Sequence, residues 1–312
     1  MMQPNARPNG GRTPSLELHL GNAAYAGGQR LTGVATLRAA KPICIRELTV
    51  SLEGSETARG PRLPRSLRKP MSFFRREVLL SGMVQPAFAA EQASLWWNAF
   101  LGRDKGHCVA YGEHIYPFSI LLPASLPPSY SGSAGSVGYT VAARLRFPLG
   151  NSIRASGDVL LAAGARAPMD CPVNLDYPDD YETGQSPNLR FSLVLPSRAV
   201  ESGGVLAGQV NVDNPDHLEI PSIGVCLQRR ESVASFEKAA QWDWVVSTQS
   251  DPAPTASAAM QHSFGLQVPK DAAPTVDGTN VSVEYMLKVV LNTDTPFECT
   301  TPVTVCRPLP DR

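Results

Sequence analysis

Residues 25–56 have the sequence YAGGQRLTGVATLRAAKPICIRELTVSLEGSE, and residues 200–231 have the sequence VESGGVLAGQVNVDNPDHLEIPSIGVCLQRRE. The two stretches match without a gap at an offset of 175 positions, so that Glu56 is matched by Glu231. In both copies apolar residues recur at every second position, as in the Leu-x-Val-x-Leu run that starts at Leu48. This alternation is typical of half-buried β-strands. The chain therefore contains an internal repeat built from strands.

A second block of the repeat follows at a different spacing. Residues 118–145 recur 146 positions later, at 264–291, and apolar residues again alternate in both copies. The smaller offset means that the first half holds 29 extra residues between Glu56 and Phe118. We therefore expect two similar halves, the first with an insertion.

Length and composition favour the same organisation. The chain has 312 residues, 43% of them hydrophobic, which is enough for two domains with buried cores. Its 25 glycines and 28 prolines punctuate many short strands. The fold class predicted is all-β, with two tandem immunoglobulin-like β-sandwiches. The boundaries predicted are a disordered N-terminus at 1–14, a first sandwich at 15–165, an acidic, proline-rich linker at 166–187 and a second sandwich at 188–307.

One block of the sequence resembles a known family. Residues 112–145, GEHIYPFSILLPASLPPSYSGSAGSVGYTVAARL, resemble the signature block of arrestin-like proteins, especially the α-arrestins. Residues 25–56 and 208–232 resemble the opening strands of the two arrestin domains. The resemblance implies the arrestin fold, two curved sandwiches joined by a short linker. It also implies that the Pro-Pro-Ser-Tyr string at 127–130 lies in a folded crossing segment and is not an exposed ligase-binding motif.

The same resemblance implies a function without catalysis. Arrestin-like proteins are adaptors that bind membrane-protein cargo or receptor tails in intracellular trafficking and signalling. A Vps26-like structural subunit of an endosomal cargo-sorting coat is the alternative, since it shares the plan of two sandwiches. The 112–145 block is more similar to the α-arrestins.

A cluster of cations falls in the first-half insertion. Its members are Arg59, Arg62, Arg65, Arg68, Lys69, Arg75 and Arg76. The whole chain is neutral, with 28 Lys and Arg against 28 Asp and Glu, so this cluster is a local positive field. Such a field suits phosphate groups on peptides or on anionic lipids. The resemblance places here the loop by which arrestins engage receptors; the alternative is a solvated loop with no dedicated ligand.

An apolar helix is predicted next, at 91–101. It carries the adjacent pair Trp96 and Trp97 and ends before Gly102, a suitable C-cap. The resemblance places one short helix of the N-terminal domain here, packed on the sandwich. Because two adjacent tryptophans cannot both face one core, contact with a membrane or partner is the second interpretation.

Motifs for chemistry are missing from the sequence. It has no nucleophile elbow, P-loop, zinc-protease motif or dinucleotide fingerprint, and its five histidines lack the spacing of metal ligands. We expect no enzyme activity, no cofactor and no metal. The neutral net charge argues against nucleic-acid binding, which requires an excess of cations.

The compartment is inferred from the absence of targeting signals. Residues 1–14 lack the apolar core of a signal peptide, and the longest apolar run, at 159–165, has seven residues, too short to span a bilayer. The six cysteines form no C-x-x-C pair, so we expect reduced, mostly buried thiols. The prediction is a cytoplasmic protein, peripheral at the plasma membrane or endosomes, and not an integral membrane protein.

Overall fold

The structure is a computed structural model of the chain. It describes residues 13–60, 68–80, 107–148, 150–162, 173–177, 189–234, 240–253, 258–294 and 296–307. Every regular element in these ranges is a β-strand. The helix predicted at 91–101 lies outside the described residues.

The described residues of the first half form eleven strands. They are β1 (Ser15–Leu20), β2 (Ala24–Ala26), β3 (Arg30–Ala39), β4 (Ile43–Ile45), β5 (Glu47–Ala58), β6 (Met71–Leu79), β7 (His107–Val109), β8 (Gly112–Leu121), β9 (Tyr130–Ser131), β10 (Gly135–Arg146) and β11 (Ser152–Ala162). One sheet has the order β1-β3-β8, and the facing sheet has the order β2-β11-β10-β5-β6, with β9 paired to β10. Strands β4 and β7 form a separate two-stranded sheet.

In the second half, ten strands are formed by the residues that the structure describes. They are β12 (Val173–Tyr177), β13 (Arg190–Leu195), β14 (Ala199–Glu201), β15 (Val205–Asp213), β16 (Ser222–Val233), β17 (Ala240–Pro252), β18 (Ala259–Gln267), β19 (Val276–Asp277), β20 (Val281–Asn292) and β21 (Phe297–Cys306). Its sheets have the orders β12-β13-β15-β18 and β14-β21-β20-β16-β17, with β19 paired to β20.

The repeat in the sequence reappears in the pairing of the strands. In β5 and β10 Glu56 lies opposite Val137, and in β16 and β20 Glu231 lies opposite Val283. The offsets of 175 and 146 carry the first pair onto the second. Each half also has one short parallel strand at the edge of the larger sheet, β2 on β11 and β14 on β21. The prediction of two tandem β-sandwiches is confirmed.

The cores follow from the alternation along the strands. Leu48, Val50 and Leu52 of β5 are fully buried, because one face of a strand points between the two sheets. Their matched residues in β16, at 223, 225 and 227, are fully buried as well. Sheet-on-sheet packing of these faces supplies the apolar burial that stabilises each half.

Three details differ from the expectation. Strand β12 lies inside the predicted linker at 166–187 and pairs with β13, so part of that stretch belongs to the second sandwich. The extra length of the first half occurs in two places, at 59–70 after β5 and, for the larger part, at 80–111 after β6. Among the described cysteines only Cys299 is buried, so the prediction of mostly buried thiols is wrong.

Candidate functional site

Two buried glutamates lie at the junction of the two halves. Glu56, near the end of β5, is 2% exposed, and Glu231, at the matched place in β16, is 1% exposed. Burying a carboxylate is costly unless hydrogen bonds replace its water shell. In each case these bonds come from the backbone of the opposite half.

Glu56 is bound by the loop between β19 and β20. Its Oε1 accepts a hydrogen bond from the backbone N–H of Thr279 at 2.8 Å. Its Oε2 accepts one from the backbone N–H of Asn280 at 2.7 Å and a longer one from Asn280 Nδ2 at 3.4 Å. Both carboxylate oxygens are thus occupied by donors of the second half.

Glu231 is bound by the loop between β9 and β10 of the first half. Its Oε2 accepts hydrogen bonds from the backbone N–H groups of Ser133 at 2.8 Å and Ala134 at 3.0 Å. Its Oε1 lies 3.4 Å from Nη2 of Arg229, which belongs to the same strand. Here one oxygen binds the opposite half and the other binds a cation.

The two contacts are related by the repeat. The offset of 175 carries Glu56 onto Glu231, and the offset of 146 carries Ser133 and Ala134 onto Thr279 and Asn280. The glutamate of each half therefore accepts backbone hydrogen bonds from a loop of the other half. We call these residues the interdomain clasp: Glu56, Ser133, Ala134, Glu231, Thr279 and Asn280.

The glycine of the second-half loop allows the loop to approach Glu56. A Cβ on Gly278 would collide with Glu56 Oε1 and with the backbone oxygen of Val281. The matched Gly132 precedes Ser133, and there an added Cβ would meet the side chain of Tyr130. Both loops thus need a residue without a side chain, but the atoms that require it differ.

Two matched tyrosines, Tyr139 and Tyr285, lie near the two glutamates. Tyr139 donates a hydrogen bond to the Pro127 carbonyl at 2.6 Å, and Tyr285 donates one to the Ala273 carbonyl at 2.7 Å. Burial raises the pKa of Tyr139, and the charge of Glu56 raises it further. Burial also raises the pKa of Tyr285, whereas the nearby Arg229 acts to lower it.

The Pro-Pro-Ser-Tyr string at 127–130 is part of this folded region. The carbonyl of Pro127 accepts the Tyr139 hydrogen bond, and Ser129 Oγ accepts one from the Leu161 N–H at 3.0 Å. Tyr130 is only 5% exposed, and burial, together with the neighbouring Glu231, raises the pKa of its hydroxyl. The string is therefore a structural crossing segment, as the resemblance implied.

The cationic cluster begins beside the clasp. The backbone N–H of Arg59 donates to the Ala134 carbonyl at 2.7 Å, which ties the start of the segment to the clasp loop. After the connection, Asn280 Nδ2 lies 3.7 Å from Met71 Sδ at the start of β6. Both ends of the connection at 59–70 are thus held at the interdomain junction.

The described cations of this cluster are exposed. They are Arg59, Arg68, Lys69, Arg75 and Arg76. Arg76 donates to the Leu121 carbonyl at 3.1 Å, which links the edge of one sheet to the other, and Arg75 forms an exposed ion pair with Glu77 at 3.5 Å. The remaining three have no ion pair with any described residue. Arg62 and Arg65 lie outside the described residues, as do Trp96 and Trp97.

Sequence reasoning aligned Glu56 with Glu231 but gave neither a role. The signal was present, because both glutamates continue the inward-facing positions of their strands. A charged residue at such a position needs a partner. The sequence does not indicate that this partner is the backbone of the opposite half.

The described part of the chain shows no arrangement for metal chemistry. No group of three or more His, Cys, Asp or Glu side chains in it could hold a metal ion. Nor does it contain a helix with the length and apolar character needed to cross a membrane.

Comparison with known proteins identifies the two halves. Residues 16–160 match the family described as arrestin (or S-antigen), N-terminal domain, and residues 185–309 match arrestin (or S-antigen), C-terminal domain. Arrestin domain-containing protein 1 of Rattus norvegicus is 23% identical over 301 residues, which cover 89% of this chain and 61% of that protein. The Mus musculus protein of the same name is 28% identical over 140 residues, 44% of this chain and 27% of that protein.

This chain spans about three fifths of the length of the rat protein. The two domain matches together cover most of the chain, in the order and at the positions of the two sandwiches. The chain therefore belongs to the arrestin family.

Proposed function

We propose that this protein is a non-catalytic, arrestin-like adaptor that binds phosphorylated or acidic tails of membrane-protein cargo and receptors through residues 59–76. The observation that carries the proposal is the exposure of five described cations in a segment whose start, at Arg59, and end, at Met71, contact residues at the junction of the two arrestin domains.

Charge supports this assignment. The chain is neutral as a whole, yet five described cations of one short stretch are exposed, and three of them have no ion pair among the described residues. Arginine guanidinium groups bind phosphate and carboxylate with two parallel hydrogen bonds, so they suit a phosphorylated tail.

Position supports it as well. The connection at 59–70 starts on the clasp loop at Ala134 and ends against Asn280. A ligand bound at the described ends of this connection lies next to residues of both halves. Binding there is therefore suited to depend on the relative orientation of the two domains.

The site of action follows from the same proposal. A protein that binds the cytoplasmic tails of membrane proteins acts in the cytoplasm, at the inner face of the plasma membrane or of endosomes. Trp96 and Trp97 are proposed as an additional contact with the membrane or the partner. The proposal involves no cofactor and no nucleic acid.

The test is a charge-neutralised variant with a matched control. The variant replaces Arg62, Arg65, Arg68 and Lys69 with glutamine. The control replaces Lys41, Arg46, Arg144 and Arg154, which are exposed on the same half and form no ion pair with described residues. Both variants lose the same number of charges.

Binding is measured by fluorescence anisotropy with a phosphorylated receptor-tail peptide and its unphosphorylated form. We expect the variant to bind the phosphopeptide about tenfold or more weakly than the control, and the difference to shrink at high salt. Equal affinity of variant and control would contradict the proposal. Loss of binding to phosphatidylserine vesicles alone, with phosphopeptide affinity unchanged, would reassign the segment to anionic lipid.

A further inference from the structure

The strongest unassigned feature is a pair of cysteines in the small sheet of the first half. Cys44 in β4 and Cys108 in β7 lie directly opposite each other in an antiparallel pair, and their Sγ atoms are 2.6 Å apart. They are 64 positions apart in the sequence, so only the fold brings them together.

The environment of the pair leaves the sulfurs accessible. Ile45 and Val109, the next residues along the two strands, are buried in the core. Because successive side chains of a strand point to opposite faces, the two thiols lie on the outer face. Both cysteines are half-buried, so a small reagent can reach them.

We infer that Cys44 and Cys108 form a reversible dithiol–disulfide site that reacts with low-molecular-weight disulfides such as glutathione disulfide. Opposed cysteines on paired strands are within the range of separations that a disulfide bridges, so the backbone needs little movement. The reaction is a thiol–disulfide exchange in two steps.

The order of the two steps follows from the protonation state of Cys44. Burial, together with the neighbouring Cys108, raises the pKa of Cys44 to about 11, so Cys44 keeps its proton at neutral pH. The first attack is therefore assigned to the sulfur of Cys108, which bonds to one sulfur of glutathione disulfide. One glutathione thiolate leaves, and a mixed disulfide forms on Cys108.

In the second step the sulfur of Cys44 loses its proton and attacks the Cys108 sulfur. The second glutathione leaves as a thiolate. Two electrons pass from the cysteines to glutathione disulfide, and the two thiol protons end on the two glutathiones. The product is one intramolecular disulfide and two molecules of reduced glutathione.

The bond would close a covalent ring from residue 44 to residue 108. This ring contains β5, β6 and the whole cationic cluster, as well as Glu56 of the clasp. A cross-link over so long a loop restricts the unfolded chain and so raises the stability of the fold. The oxidised protein is expected to melt a few degrees higher than the reduced one.

The experiment uses the purified full chain in glutathione buffers of stepwise rising disulfide content. After quenching by alkylation, intact mass and a non-reducing peptide map report which cysteines are linked. We expect the loss of two hydrogen atoms per chain and a cross-linked peptide pair that contains Cys44 and Cys108. This measurement on the wild-type chain needs no variant to fold.

Variants then test the assignment. The variants Cys44→Ser and Cys108→Ser are each expected to lose the cross-link and the rise in melting temperature. The matched control Cys226→Ser keeps both, because Cys226 lies in β16 of the other half. Recovery of the wild-type Cys44 peptide as free thiol, as glutathione adduct, or linked to any cysteine other than Cys108 would overturn the inference.

Discussion

The two ends of the interdomain clasp hold their carboxylates in different ways. Glu56 is surrounded by neutral donors, two backbone N–H groups and one amide of Asn280. Glu231 uses one oxygen for two backbone N–H groups and gives the other to Arg229. Arg229 in turn stacks on Trp244, with its guanidinium carbon 4.5 Å from the ring centroid.

The comparison shows that the same repeated contact can be stabilised by neutral hydrogen-bond donors alone or by such donors together with a cation. The position matched to Arg229 is Gly54, where the first half has room for Phe73, which stands edge-on to Tyr139 at 5.8 Å. The second half thus has a cation at this position, and the first half has aromatic packing beside it. The backbone loops that bind the carboxylates stayed the same.

The largest effect is expected when Glu231 is replaced by alanine. This change leaves two N–H groups without partners and also leaves the largely buried Arg229 without its counter-charge. We expect a loss of about 3 kcal/mol in the free energy of unfolding, against about 2 kcal/mol for Glu56→Ala, which strands no cation. Urea unfolding of the full chain, followed by circular dichroism, gives both values.

Two controls accompany this measurement. Replacing exposed Glu219 by alanine should change stability by less than about 0.5 kcal/mol. Adding Arg229→Met to Glu231→Ala should bring the cost down towards that of Glu56→Ala, since the unpaired charge is removed. A cost for Glu56→Ala equal to or above that for Glu231→Ala would contradict the comparison.

The next effect separates the two loop glycines. Gly278→Ala places a methyl group against the backbone oxygen of Val281 and the carboxylate of Glu56, neither of which can move freely. We expect a cost of about 2 kcal/mol, as for other overpacked sites. Gly132→Ala meets the hydroxyl and ring of Tyr130 instead, which belong to a side chain and not to the backbone, and should cost less, about 1 kcal/mol.

Thermal melting of the two variants checks this order. A larger loss of stability in Gly132→Ala than in Gly278→Ala would contradict the expectation that the contact of Gly278 with Glu56 is the tighter of the two.

The smallest effect is the response to alkaline pH. Burial raises the pKa values of Tyr139 and Tyr285 above the ordinary value of about 10. Between the unfolded and folded pKa values the folded state therefore binds more protons, so stability is intact below about pH 10 and falls as the pH rises. Each tyrosine should contribute a loss of less than about 1 kcal/mol near pH 10.5.

The two halves should also differ in the order of ionisation. Arg229 acts to lower the pKa of Tyr285, whereas the charge of Glu56 raises that of Tyr139, so Tyr285 should ionise first. The ¹³C resonances of the tyrosine rings, assigned with Tyr139→Phe and Tyr285→Phe, report the order. Earlier ionisation of Tyr139 would contradict the stated difference between the charges that surround the two tyrosines.

The fold could be predicted from the sequence because the internal repeat shows which strands of the two halves correspond. Two offsets, 175 and 146, match β5 with β16 and β10 with β20, and alternation identifies their buried faces. Local patterns of this kind are set by neighbouring residues along the chain, which sequence analysis sees directly. Strand β12 was missed because it lies in a polar, proline-rich stretch.

The site was harder to predict because its contacts are long-range. The donors to Glu56 are backbone groups more than two hundred positions away, and backbone groups leave no residue-specific signal. Cys108 belongs to the insertion that the second half does not share, and the repeat aligns Cys44 with Glu219, so the repeat gave no reason to pair the two cysteines. The cationic cluster was visible by composition, but its anchoring beside the clasp depends on the fold.

The reciprocal clasp has a consequence for how such a chain can arise. Each half carries both an acceptor glutamate and a donor loop, so its contact surface is complementary to itself. Self-complementary surfaces are the mark of two-fold symmetric dimers of identical subunits. When two such subunits are joined in one chain, each half is held at a high effective concentration near the other, so they need not associate from solution. Because the two halves then have separate sequences, the surroundings of the two carboxylates can differ. The difference between Glu56 and Glu231 is what a symmetric dimer could not have.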